Sequence, residues 1–77
     1  MPKFYVHHVQ GDTRILDKEG SDFPNLAAAR LDVERAGLEM LADHLKDGSD
    51  VTGWELEIWD DQGEHIETVE LHDLSTN

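Results

Sequence analysis

One stretch, Leu26 to Lys46, repeats apolar residues at helical spacing, and no other part of the 77-residue chain does so. Leu26, Ala29, Val33, Ala36, Gly37, Met40, Leu41 and His44 fall within about one third of a helix circumference. Asp32, Arg35, Glu39, Asp43 and Lys46 take the opposite side. Pro24 fixes the approach, Asn25 can accept from the first free amides, and Gly48 is a natural stop. The expected helix, 26–46, is about 31 Å long, enough to lie diagonally across a four-stranded sheet. A chain with one helix must find the other half of its core in strands.

Four extended segments supply it. Lys3 to Val9 is dense in aromatic and β-branched residues, Gln10-Gly11-Asp12 turns the chain, and Thr13 to Leu16 returns it. After the helix, Trp54 to Trp59 alternates cleanly, Asp60-Asp61-Gln62-Gly63 turns, and Glu64 to Leu71 returns. In that last segment Ile66 falls on the opposite parity from Val69 and Leu71, so a bulge near Glu67-Thr68 is expected to bring all three to one face. The tail from His72 is expected to fray. Ile15 to Gly20 echoes Ile58 to Gly63, which reads as one turn chemistry used twice: Asp bonds its own backbone and Gly takes the positive φ.

These elements predict a single α+β domain over residues 1–77, ββαββ, with a four-stranded, mainly antiparallel sheet and one long helix packed on one face. Placing the outer strand of each hairpin at an edge sets the first and last strands parallel at the centre. The alternative leaves the hairpins apart and completes the sheet with a second chain.

One helix covers one face of the sheet. With Phe4, Val6, Trp54, Leu56 and Ile58 toward the helix, parity sends Tyr5, His7, Val9, Glu55, Glu57 and Trp59 to the other. An antiparallel sheet can leave one face in water, but a Trp, a Tyr and a Val among carboxylates are more apolar than that requires. These six residues are the candidate interaction site. The blander reading has Trp59 and Tyr5 packing flat on cross-strand neighbours. Leu31, Leu38 and Leu45 form a second, narrower helix stripe, read first as core extension and otherwise as a meeting place for another chain.

Eighteen acidic residues against six basic ones give a net charge of −12. That field repels phosphates, so nucleic acid is excluded as a partner. There is no cysteine, which removes disulfides, thiolate zinc sites and thiol nucleophiles. No apolar run is long enough to cross a bilayer and no signal peptide is evident, so no membrane is expected and a cytoplasmic location is. A domain this small buries only about 60 % of its unfolded surface, and self-repulsion thins its stability further.

Chemistry finds little purchase. His7 and His8 are adjacent, so on a strand they point to opposite faces and share no ion. His7, Glu55, Glu57 and His65 are the best available donors for a divalent ion, but no fixed ligand spacing occurs and no metal or cofactor is assigned. Asp60-Asp61-Gln62-Gly63-Glu64 starts like a calcium loop and lacks its span. Ser21, Ser49 and Ser75 have no nucleophile setting, the glycines are scattered singly, and one helix on a small sheet leaves little room for a pocket. The chain reads as no enzyme. His44 reads as a partly buried histidine favoured by the helix dipole.

Pro2, Lys3, Phe4, Tyr5 and His7, the turn Asp17 to Gly20, the helix start Phe23-Pro24-Asn25-Leu26, Ala28-Ala29, Leu41-Ala42-Asp43, and the turn Asp60 to Gly63 follow one another in a familiar order. Together they resemble a bacterial family of small domains of unknown function, over nearly the whole chain. Members often read Pro-aromatic after the last strand, where this chain has Glu70-Leu71. The resemblance implies the fold and attaches no activity. Phe23-Pro24-Asn25-Leu26 is also loosely similar to the helix start of HicB-type antitoxin domains, whose three-strand opening is missing here.

The function expected from the residues is a non-enzymatic protein-interaction or self-association module using Tyr5, His7, Val9, Glu55, Glu57 and Trp59. Its partner is a protein or a second copy. The alternatives are an acidic, antitoxin-like inhibitor of a basic protein and a small metal-binding protein.

Overall fold

A computed structural model describes residues 2–48 and 50–74. Its elements are β1 (Lys3–Gln10), β2 (Thr13–Ile15), β3 (Ser21–Asp22), α1 (Leu26–Asp47), β4 (Trp54–Asp60), β5 (His65–Glu70) and α2 (Leu71–Leu74). The α+β class and the long helix match expectation. The sheet has five strands rather than four, because the two-residue β3 pairs with β1, Lys3 opposite Asp22 and Phe4 opposite Ser21.

The order β2-β1-β4-β5 is antiparallel throughout, which corrects the parallel central pair expected. β1 and β4 are the longest strands and the richest in large apolar residues, and they register from Phe4–Asp60 to Gln10–Trp54. Pairing them side by side puts the apolar content at the sheet centre. The Glu-bearing β5 goes to an edge, where charge discourages further strand pairing.

Asn25 caps α1 by accepting the Ala28 N–H at 2.9 Å. Gly48 closes it at φ 72°, donating its N–H to the His44 and Leu45 carbonyls. Ala29, Val33, Gly37 and Leu41 are the buried helix positions, packed over Phe4, Leu56 and Ile58. Val6, Leu26, Met40 and Trp54 pack partly buried around them. Ala36 is exposed instead of sharing the core, because β2 is too short to extend the sheet beneath it. Leu31, Leu38 and Leu45 are exposed too, so they do not extend the core.

The bulge lies one step earlier than expected. Ile58 pairs with Glu67 and Trp59 with His65, leaving Ile66 as the extra, exposed residue. Val69 packs on the core from β5, whereas Leu71 reaches it from α2. Residues 72–74 are thus helical rather than frayed, because Leu71 and Leu74 fold the chain end back against α1. Gly37 makes room: a Cβ there would lie 2.7 Å from Leu74 Cδ1. The rest of the expected fray, 75–77, lies outside the described residues, as do Ser49 and Ser75.

The two Asp-to-Gly turns share one chemistry. The Asp17 carboxylate accepts from the Glu19 and Gly20 amides, and the Asp60 carboxylate from those of Gln62 and Glu64. Gly20 and Gly63 take φ of 71° and 79°.

Candidate functional site

Parity and register deliver the six expected residues to one surface. Tyr5 pairs with Trp59, His7 with Glu57 and Val9 with Glu55, and cross-strand partners share a face. That face is opposite the one carrying Phe4, Leu56 and Ile58, which the helix covers. Thr68 and Glu70 join it from β5 opposite Glu57 and Glu55, and Arg14 joins from β2 opposite Val9.

Trp59 is the centre of the face. The His65 ring stacks on it at 5.2 Å with 15° between planes, and the His7 ring lies 5.5 Å away, tilted by 44°. Its indole N–H donates to Glu57 Oε1 at 3.1 Å. The Arg14 guanidinium pairs with that same oxygen and sits 5.9 Å from the Trp59 ring, within cation–π range. Flat packing on a cross-strand neighbour is therefore seen for Trp59 against His65, while the His7 contact is tilted. His65, already grouped with His7 as a possible donor, completes this cluster with Thr68 and Arg14; pairing register, which the sequence does not state, is what brings in the last two. Tyr5 lies over the loop at Gly20, where an added Cβ would come within 2.9 Å of its ring.

The far end of the face differs in charge. Glu55 and Glu70 are direct cross-strand partners. The ion pairs found among the described residues are Arg14–Glu57 and Arg30–Glu67, so no described lysine or arginine is paired with Glu55 or Glu70. Val9 stands beside Glu55 on β1. One surface thus joins an anchored aromatic to an uncompensated carboxylate pair.

Below the face, Asp17 holds the β1 edge where β2 has ended and β3 has not begun. Its carboxylate accepts the Val6 N–H at 3.2 Å, and its own N–H donates to His7 Nδ1 at 3.0 Å. Burial pushes the Asp17 carboxyl up, but hydrogen bonds from the Gly20, Val6 and Glu19 amides bring it below the ordinary aspartate value.

Two open grooves flank α1, which corrects the expectation of little pocket space. One, about 370 Å³, runs between β1, the β2–β3 loop and the first half of the helix, with Val6, His8, Leu16, Phe23 and Ala36 in its lining. The other, about 510 Å³, lies between α1, β5 and α2. No group of three or more His, Asp or Glu positioned to hold a metal ion occurs among the described residues. No helix is long and apolar enough to cross a membrane. His44 is partly buried, edge-on to Trp54 at 4.2 Å between ring centroids.

The fold and this face define a small α+β domain with a single-helix layer and a self-braced aromatic sheet surface. The chain belongs to the family described as domain of unknown function DUF6894, which it matches over residues 3–72. No curated protein and no solved structure matches it.

Proposed function

We propose that this chain is a non-enzymatic protein-binding module whose helix-free sheet face receives a basic segment of another protein. The observation that carries this reading is the Glu55–Glu70 pair: two carboxylates opposite each other, with no ion pair to a lysine or arginine among the described residues, on the surface that presents Trp59 and Val9. Like charges directly opposed across strands destabilise a sheet. An arginine or lysine from a partner relieves that cost on binding, while Trp59 and Val9 accept apolar side chains next to it. The aromatic is pre-oriented by Arg14, His7 and His65, so little freedom is lost on contact. A second copy is the poorer occupant here, since each copy brings a net charge of −12.

The test is amide and indole shift mapping by NMR, using a short peptide of alternating arginine and leucine as the probe. Shifts confined to Tyr5, Val9, Glu55, Glu70 and the Trp59 indole, lost in Trp59→Ala and weakened by salt, support the reading. Shifts spread over the whole acidic surface, or unaffected by Trp59→Ala, overturn it.

A further inference from the structure

The groove between β1, the β2–β3 loop and the first half of α1 exists because β2 stops at Ile15, leaving the helix without a strand beneath it until β3 begins at Ser21. Val6, His8 and Leu56, on the helix side of the sheet, form its floor. Asp32 and Ala36 line it from α1, and Leu16 and Phe23 from the opposite side. Ile15 and Leu16 belong to the lining as well and are 50 % and 53 % exposed, an apolar surface left open to water. At about 370 Å³ the groove falls within the range that holds small ligands, about 300–1,000 Å³. We propose that it is a binding site for a small arylalkylamine, a molecule with an apolar, ring-bearing body and one ammonium group.

Charge selects the occupant. The lining holds two carboxylates, Asp17 and Asp32, and no lysine or arginine, and both ion pairs found among the described residues lie elsewhere. The Asp17 carboxylate is held in place by the Val6, Glu19 and Gly20 amides, so its charge is fixed before any ligand arrives. Asp32 stands exposed on α1, where it can close on an ammonium group. The neutral His8 ring offers one further acceptor for an ammonium with three N–H donors. An anionic molecule of the same shape meets repulsion from both carboxylates.

The body of the ligand follows from the rest of the lining. Seven of the eleven lining residues are apolar, against three of nine in the groove between α1, β5 and α2, where the ion-paired Arg30 also sits. Phe23, tilted by 50° on Phe4 at 6.2 Å, gives a second ring an aromatic flank to pack against. A free molecule fits better than a strand of another protein. The Val6 N–H is already taken by Asp17, and the β2–β3 loop runs along that edge, so an extended peptide finds no ladder to join. The groove lies on the helix side of the sheet, away from Trp59, and stands independently of the reading given above for the other face.

NMR titration of the full chain with phenethylamine tests it, with hydrocinnamate as the charge-reversed probe and phenethyl alcohol as the neutral one. The expected result is saturable amide shifts centred on Val6, His8, Leu16 and Ala36, with a dissociation constant on the order of 1 mM for so small a ligand. The alcohol should bind more weakly and the carboxylate not measurably. Asp32→Asn should weaken amine binding about threefold. Asp43→Asn removes the same charge from the far half of α1, outside the groove, and should leave binding nearly unchanged. Ala36→Phe, at an exposed helix position, fills the groove and should abolish binding; Leu16→Gln, at an exposed position outside the helix, is the second variant and should weaken it. Shifts that do not saturate, that spread over the whole acidic surface, or that survive both Ala36→Phe and Leu16→Gln overturn the proposal. Equal binding of amine and carboxylate, or equal losses in Asp32→Asn and Asp43→Asn, overturns the ligand class.

Discussion

The carboxylate of Asp17 accepts the main-chain N–H of Val6 across a gap in the sheet, at 3.2 Å, eleven residues away in sequence. β2 pairs with β1 only from His8 onward and β3 only up to Phe4, so Val6 has no strand partner on that side. One side chain stands in for the missing strand, and its bonds to the Glu19 and Gly20 amides turn the chain toward β3.

This arrangement sets a pH dependence. The folded Asp17 carboxyl lies below its ordinary value, so its contribution is complete above the unfolded value, about 3.9, and is lost as pH falls through the lower folded one. Asp17→Ala should cost about 1–2 kcal/mol near neutral pH, since several amides lose an acceptor at a partly exposed site. Urea melts of both proteins should show this gap holding from neutrality to about pH 5 and closing as pH falls past the ordinary carboxylate value and through the lower folded one. A gap that ignores pH contradicts the assignment.

The two ion pairs should differ in strength. Arg14–Glu57 has its carboxylate side chain only 15 % exposed, with the guanidinium also near Trp59, whereas Glu67 in the Arg30–Glu67 pair is 30 % exposed. Less solvent around a pair means less screening. Double-mutant cycles to alanine should give about 1 kcal/mol of coupling for the first and a clearly smaller coupling for the second. Equal values would mean that Arg14 gains nothing from its place beside Trp59.

Much of this was legible beforehand because it depends on local periodicity. The 3.6-residue stripe located α1 within one residue, and two-residue alternation assigned Tyr5, His7, Val9, Glu55, Glu57 and Trp59 to a common face. Strand order was not legible, since alternation states which face a residue takes and not which neighbour it meets. Ser21 and Asp22 escaped notice because a two-residue strand has no period to detect. The fray expected from His72 failed because Leu71 and Leu74 are too few to show a pattern, although Gly37 was the clue that something packs on the helix there. Arg14 joined the site through register, and Ile66 left the core through a bulge whose position depends on tertiary pairing.

Removing one carboxylate from the Glu55–Glu70 pair should stabilise the domain. Glu70→Gln keeps the shape of an edge-strand residue and removes a like charge directly opposite another, worth about 0.2–1 kcal/mol. A higher Tm in low salt, with the gain shrinking in high salt, is the expected outcome. The same variant should bind the arginine–leucine peptide more weakly than wild type. Stability gained together with binding lost marks a pair kept for contact rather than for folding. If the Tm does not rise, the two side chains do not repel.

The sharpest contrast in stability should lie within α2, between Leu71 and Leu74. Leu71 is wholly buried among the core residues, while Leu74 rests partly exposed over Gly37. Leu71→Ala leaves a cavity with nothing to fill it and should cost about 2–5 kcal/mol. Against a total that for such small domains is about 5 kcal/mol, this is enough to unfold much of the population at room temperature. Leu74→Ala removes a side chain from the rim, where water replaces it, and should cost about 1 kcal/mol or less. Circular dichroism melts of the two variants distinguish a chain end that closes the core from one that merely follows the last strand. Equal, small losses would show that Leu71 is not part of the core.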